Sequence, residues 1–318
     1  MRLSRRLWVT IVLVGLVGQL AWTVENMYLN VFIFETITDN PAVIATVVAA
    51  SAVTAAVTTV LNGPLSDRVG TRRPFISGGY LAWGLATAAF GLIATGGPLG
   101  LSAGAAIVAV ILLDCVMTFF GSTANDAAYQ AWVTDVTTPA VRGRVDAVVQ
   151  SLPLVAMLLV FVALDPLTKA GHWLGFFGVV GAVVTLVGVA AHFLVRDVVA
   201  PTSAGESYVA SVLHGIRPNA VRTNPLLYLT LSCWALWGIS TQVFMPFLLI
   251  YLDHRADAFG TPGHGRSSLR LRHRCPGEPP ADVARLTNGS SRQGRLPSWS
   301  MSAQKLTARV RNPAQKDP

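Results

Sequence analysis

Seven mostly apolar stretches, over roughly 8–34, 42–62, 74–95, 103–131, 147–167, 173–195 and 225–252, occupy most of the first four fifths of the chain. About 20 such residues are what an α-helix needs to cross the hydrocarbon core of a bilayer. In lipid every backbone polar group must be satisfied within the protein, so runs of this length are confined to helices. The fold class predicted is therefore an all-α polytopic membrane protein. With 52% hydrophobic and only 13% charged residues, and a mean hydropathy of +0.52, the chain has little with which to make a water-facing surface.

The connections carry a second pattern. Arg2, Arg5 and Arg6 precede the first span, and no Lys or Arg lies in 36–41. Arg68, Arg72 and Arg73 follow, then an uncharged connection over 94–102, then Arg142 and Arg144, then Lys169 alone, then Arg196, Arg217 and Arg222. Basic connections alternating with nearly uncharged ones place the N-terminus in the cytoplasm of a multi-pass cell-membrane protein. The first run is too long for the apolar region of a signal peptide and reads as a retained helix. In the central connection Val209, Val212, Leu213 and Ile216 form one apolar stripe, either a short helix lying on the cytoplasmic membrane face or a loose linker.

The net charge of +8 is local: residues 1–252 contribute +1 and residues 253–318 contribute +7. The basic pI is thus a property of the tail, which is rich in Arg, Gly, Pro and Ser and predicted to be disordered. Arg266, Arg270, Arg272 and Arg274 in it are read as part of an unstructured tail, and no nucleic-acid partner is expected. Cys115, Cys233 and Cys275 have neither metal-ligand nor disulfide-framework spacing.

The second connection reads Gly63-Pro64-Leu65-Ser66-Asp67-Arg68-Val69-Gly70-Thr71-Arg72-Arg73. Gly63 is expected to let two helix ends approach, Gly70 to permit a turn with positive φ, and Asp67 to hold an ion pair or cap a helix. This stretch resembles the signature loop of the major facilitator superfamily, with Thr71 where a basic residue is more common. The fourth connection, Asp135 to Pro139 and then Arg142-Gly143-Arg144, is similar to the family's matching loop. The resemblance implies a cytoplasmic gate in which Asp67 and Arg68 neighbour Arg142 or Arg144. It also implies a secondary transporter of a small solute working by alternating access, coupled to a proton or cation. Arg72 to Ile76, and Asn125 to Tyr129 with Arg142, resemble the glycoside–cation symporter branch.

Polar residues inside the spans are the candidates for solute or ion contact, because exposing them to lipid is costly. Gln19, Trp22, Asn26 and Asn30 share one face of the first helix. Glu25 lies beside that face towards its outer end, as a cavity residue or an interfacial acid in water. Asp114 is mid-span on the fourth helix, as an ion site or a structural acid bonded to a neighbouring helix. An unbroken α-helix puts Thr118, Gly121 and Asn125 on its face. Gln150 and Gln242 are further candidates, each also readable as a packing residue.

No phosphate-binding loop, His-Glu-x-x-His or Gly-x-Ser-x-Gly occurs, so no cofactor, metal or enzymatic activity is expected. The domains expected are a six-helix transporter half over 1–195, a cytoplasmic linker over 196–224, a seventh helix over 225–252 and the tail over 253–318. Family members usually have twelve helices, so the expectation is a truncated or frameshifted permease whose tail is out of frame. A second copy or a separate second half would then complete it. The alternative is a seven-helix receptor or scaffold.

Overall fold

In a computed structural model the described residues are 4–94, 97–197 and 222–258. The stripe expected over 209–216 and the tail beyond 258 lie outside them. The described residues form helices and no strand. The seven are α1 (Arg5–Thr36), α2 (Pro41–Val69), α3 (Arg73–Leu92), α4 (Ala103–Val136), α5 (Pro139–Lys169), α6 (Trp173–Leu194) and α7 (Pro225–Ala258). Each expected span is present, and the chain is a multi-pass membrane protein.

Local chemistry explains where the helices start. Ser4, Asn40 and Ser102 each accept a backbone N–H of the first turn, and Pro41 and Pro139 occupy first-turn positions whose N–H would be unbonded anyway. Hydropathy underestimates several lengths, because a helix goes on making backbone bonds after its apolar part ends. α2 runs on to Val69 and α5 begins at Pro139, so Gly63 to Asp67 and Arg142 to Arg144 belong to helices and not to loops. At 1.5 Å per residue, the 34 residues of α4 span about 50 Å, well beyond a hydrocarbon core of about 30 Å.

α3 and α6 make the closest helix pair. A Cβ on Gly84 would come within 2.6 Å of the Gly181 carbonyl oxygen, and one on Gly181 within 2.7 Å of the Ala88 nitrogen. Backbone meets backbone there, which only glycine allows. At one end Phe32 and Phe177 pack edge to face at 5.1 Å, with Tyr28, Phe90 and Phe176 fully buried around them. Large apolar side chains such as Leu112, Leu158 and Leu186 stand exposed on the outside, the expected arrangement where the solvent is lipid. α7 lies against α1 and α2 with most of its surface uncovered.

Candidate functional site

Three of the helices change register part-way along their length. α1 carries a π segment over Val24–Tyr28, α4 one over Ser122–Tyr129 and α5 one over Val160–Leu164. A π turn holds more residues than an α turn, so every residue beyond it is rotated relative to an unbroken helix. The first two segments contain Glu25 and Asp126, and both residues line one cavity of about 390 Å³ between α1, α2, α4 and α7.

The α1 wall of this cavity is Gln19, Trp22, Glu25, Asn26, Leu29 and Asn30. α2 contributes Ser51 among small apolar residues, α4 contributes Asp114, Thr118 and Asp126, and α7 contributes Gln242. Glu25 is 7% exposed and Asp114 1%. The hydroxyls of Ser51 and Thr118 each donate to Glu25 Oε1 at 2.9 Å, and the two hydroxyl oxygens are 2.7 Å apart. Glu25 Oε2 and Asp114 Oδ1 are buried without a hydrogen-bond partner. The lining residues include three carboxylates and no Lys, Arg or His.

A second cavity of about 490 Å³ shares Gln19, Trp22, Asn26 and Gln242 with the first and continues between α1, α5 and α7. Its further lining includes Met27, Pro153, Leu154, Met157, Trp237 and Met245, so this compartment is mainly apolar. Gln242 donates to Asn26 Oδ1 at 3.3 Å across the junction.

At the end of the bundle that carries most of the basic residues, Arg72 is a buried hub. Its guanidinium pairs with Asp67, donates from Nε to Asp135 Oδ2 at 3.2 Å and from Nη1 to Ser66 Oγ at 2.5 Å. The backbone N–H groups of Arg72 and Arg73 donate to Asp197 Oδ1 at 2.6 and 2.9 Å, so the chain after α6 caps the start of α3. Gly70 ends α2 at φ +72°, a backbone conformation that any other residue would adopt at a cost.

The sequence pattern of the Major Facilitator Superfamily matches residues 11–264, most of the chain. The chain belongs to the Major Facilitator Superfamily. It is therefore a membrane transporter, of a family that moves solutes rather than catalysing reactions. A search of curated proteins returned no match.

In this superfamily member, Gln19, Trp22, Glu25, Asn26, Asn30, Asp114, Thr118 and Gln242 do converge on one cavity. Of the two readings open for Glu25, its burial and place in the cavity favour the first: it stands eleven residues from Thr36, as Asp114 stands eleven from Ala103, so both lie about 16 Å inside their helices. Other expectations need correcting. Gly121 and Asn125 do not line the cavity with Asp114. Gly121 packs on the Trp83 ring, and Asn125 meets the Tyr80 hydroxyl at 3.0 Å. The π segment of α4 turns Asp126 to the cavity instead, and Asp126 accepts from Asn125 Nδ2 at 3.1 Å. Gln150 is exposed on α5 and lines neither cavity. A Cβ on Gly63 would touch nothing within 4 Å, so no close approach depends on it.

The two signature stretches do meet, but through other partners. Among the described residues no ion pair joins Asp67 or Arg68 to Arg142 or Arg144. Arg142 instead donates to the Thr134 and Thr137 carbonyls, closing the α4–α5 corner, while Arg68 and Arg144 are exposed. Ser51 and Asp126 are the site residues that sequence reasoning missed. A lone hydroxyl in an Ala/Val run and a second acid in α4 were the signals available.

Proposed function

We propose that this chain is a secondary active transporter of a small polar solute of the glycoside type, working by alternating access and driven by a proton or cation gradient. The observation that supports this is the joined pair of cavities. An indole and several amides stand where a polyhydroxylated ring would be stacked and hydrogen-bonded, with carboxylates on one side and an apolar compartment on the other. A glycoside has this same division, with a hydroxyl-rich sugar and a less polar aglycone. The carboxylates are where a driving cation would act.

In this reading residues 1–195 are the six-helix N-terminal half, the N-terminus is cytoplasmic, and the helix over 225–252 closes one side of the cavity. A second copy or a separate half would supply the opposing wall. Arg72 with Asp67 and Asp135 holds the cytoplasmic side closed, and Arg68, Arg73, Arg142 and Arg144 surround this latch. Uptake of a radiolabelled panel of alkyl glucosides and disaccharides into proteoliposomes tests the proposal. Saturable, gradient-dependent uptake that Trp22→Ala lowers about tenfold or more is expected. Uptake of none of the panel under any imposed gradient rules out the glycoside reading.

A further inference from the structure

We propose that a third cavity, between the ends of α1, α4 and α6, binds the phosphate headgroup of one anionic phospholipid through Arg6 and Arg196. The inference goes beyond the transport reading above and does not depend on which solute is moved. The cavity has a volume of about 430 Å³ and is lined by the start of α1, the last turn of α4 and the chain at the end of α6. It shares no lining residue with the two cavities described above.

The uncompensated charge of this cavity is positive. Its charged lining residues are Arg6, Arg196 and Asp135. Asp135 is already engaged by the Arg72 guanidinium. Among the described residues neither Arg6 nor Arg196 has an ion-pair partner. Both are nonetheless positioned. Arg6 donates from Nη2 to the Phe193 carbonyl at 2.8 Å, and its fork has further donors to offer. That carbonyl belongs to the last turn of α6, where the helix dipole would oppose an anion, and Arg6 covers it. The indole of Trp132 donates to the Arg196 carbonyl at 3.0 Å, so the backbone that carries the second guanidinium is held as well. Two guanidiniums supply the planar, charge-assisted donors that phosphate oxygens accept best.

Depth selects a lipid over a soluble phosphate. α6 has 22 residues and is about 33 Å long, which matches the thickness of a hydrocarbon core. Leu194 at its end therefore lies where acyl chains give way to headgroups. The cavity includes that residue, with Leu7 and Val136 as further half-buried apolar walls. A free phosphate gains nothing from such walls, whereas the first methylenes of a lipid chain do. Most of the basic residues lie at this end, which is the cytoplasmic one in the reading above. Basic pockets between membrane helices on that side suit anionic headgroups.

The test uses the full chain purified in a mild detergent and titrated with phosphatidylglycerol or with phosphatidylcholine of the same chain length. Native mass spectrometry and Tm read the binding. One phosphatidylglycerol is expected to bind saturably, about tenfold more tightly than phosphatidylcholine, to raise Tm and to weaken as salt is added. Arg6→Gln and Arg196→Gln should each weaken it about tenfold, the scale of one charge-assisted hydrogen bond, and bring the two lipids level. Arg222 is exposed outside the cavity, and Arg222→Gln should bind as the parent does. Should Arg6→Gln fail to fold for want of its bond to Phe193, Arg196→Gln decides, because the bond that ties Arg196 to α4 is made by its backbone. No preference for phosphatidylglycerol, or a preference that survives in Arg196→Gln, overturns the proposal. So does glycerol 3-phosphate binding as tightly as phosphatidylglycerol, since the ligand would then be a soluble phosphate and not a lipid.

Discussion

Thr118 and Glu25 are 93 residues apart in the chain and joined by a 2.9 Å hydrogen bond in a site where Thr118 has no exposed surface. The bond fastens the middle of α4 to the π segment of α1. Replacing Thr118 with Val keeps the shape and removes one of the two donors to Glu25 Oε1. Hydrogen bonds between membrane helices contribute about 0.6–2 kcal/mol, so a loss in that range is expected in reversible unfolding from mixed micelles. A variant as stable as the parent would mean that the bond carries no net stability.

Arg72 joins the end of α2 to the end of α4 through Asp67 and Asp135. A lysine has the charge but not the planar fork that serves several acceptors at once. Arg72→Lys is therefore expected to lower transport about tenfold or more and to make a cysteine placed at Ser66 react faster with a membrane-impermeant thiol reagent. Asp135→Asn should act in the same direction but less strongly. Unchanged labelling in both variants would show that the hub does not hold this end closed.

Gly181 faces the Gly84 backbone, whereas a Cβ on Gly175 of the same helix would meet nothing within 4 Å. Gly181→Ala should cost about 1–3 kcal/mol, as overpacking does in a close-packed interior. Gly175→Ala should leave stability unchanged or slightly raised. Equal Tm values for the two variants would mean that α3 and α6 are not in backbone contact.

Trp237 and Met245 of α7 line the apolar compartment, and Gln242 stands at its junction with the acidic one. Trp237→Ala should raise the KM for a glycoside with a long alkyl group several-fold and leave the KM for a bare disaccharide unchanged. Gln242→Ala should raise both. If Trp237→Ala treats the two solutes alike, the compartment does not receive the aglycone.

Much of the fold was legible along the chain because its causes are local. The lengths of the apolar runs, Asn40-Pro41 and Thr138-Pro139 at helix starts, and Gly70 at a helix end each act within a few residues. The candidate site was legible in part. Gln19, Trp22, Asn26 and Asn30 repeat at helical spacing, so their common face could be read directly. Ser51 could not, since nothing along the sequence separates it from Thr54 or Thr58 until α2 is set against α1 and α4. Asp126 was hidden for a different reason: unbroken α-helical periodicity places Asn125 on the Asp114 face, and the π segment over Ser122–Tyr129 moves the register by about one residue.

The sequence by itself determined that this chain is a bundle of membrane helices with the superfamily's signature stretches. The bilayer sets one length for every span, and one backbone-satisfying structure is available to each. Only the tertiary structure decided that Glu25, Asp114 and Asp126 share a cavity, that Arg72 rather than Arg142 binds Asp67 and Asp135, and that Gln150 stands apart. Those outcomes depend on which helix faces which and on how far each is rotated about its axis. Contacts between segments many residues apart fix that rotation, and α3 meeting α6 at Gly84 and Gly181 is one such contact.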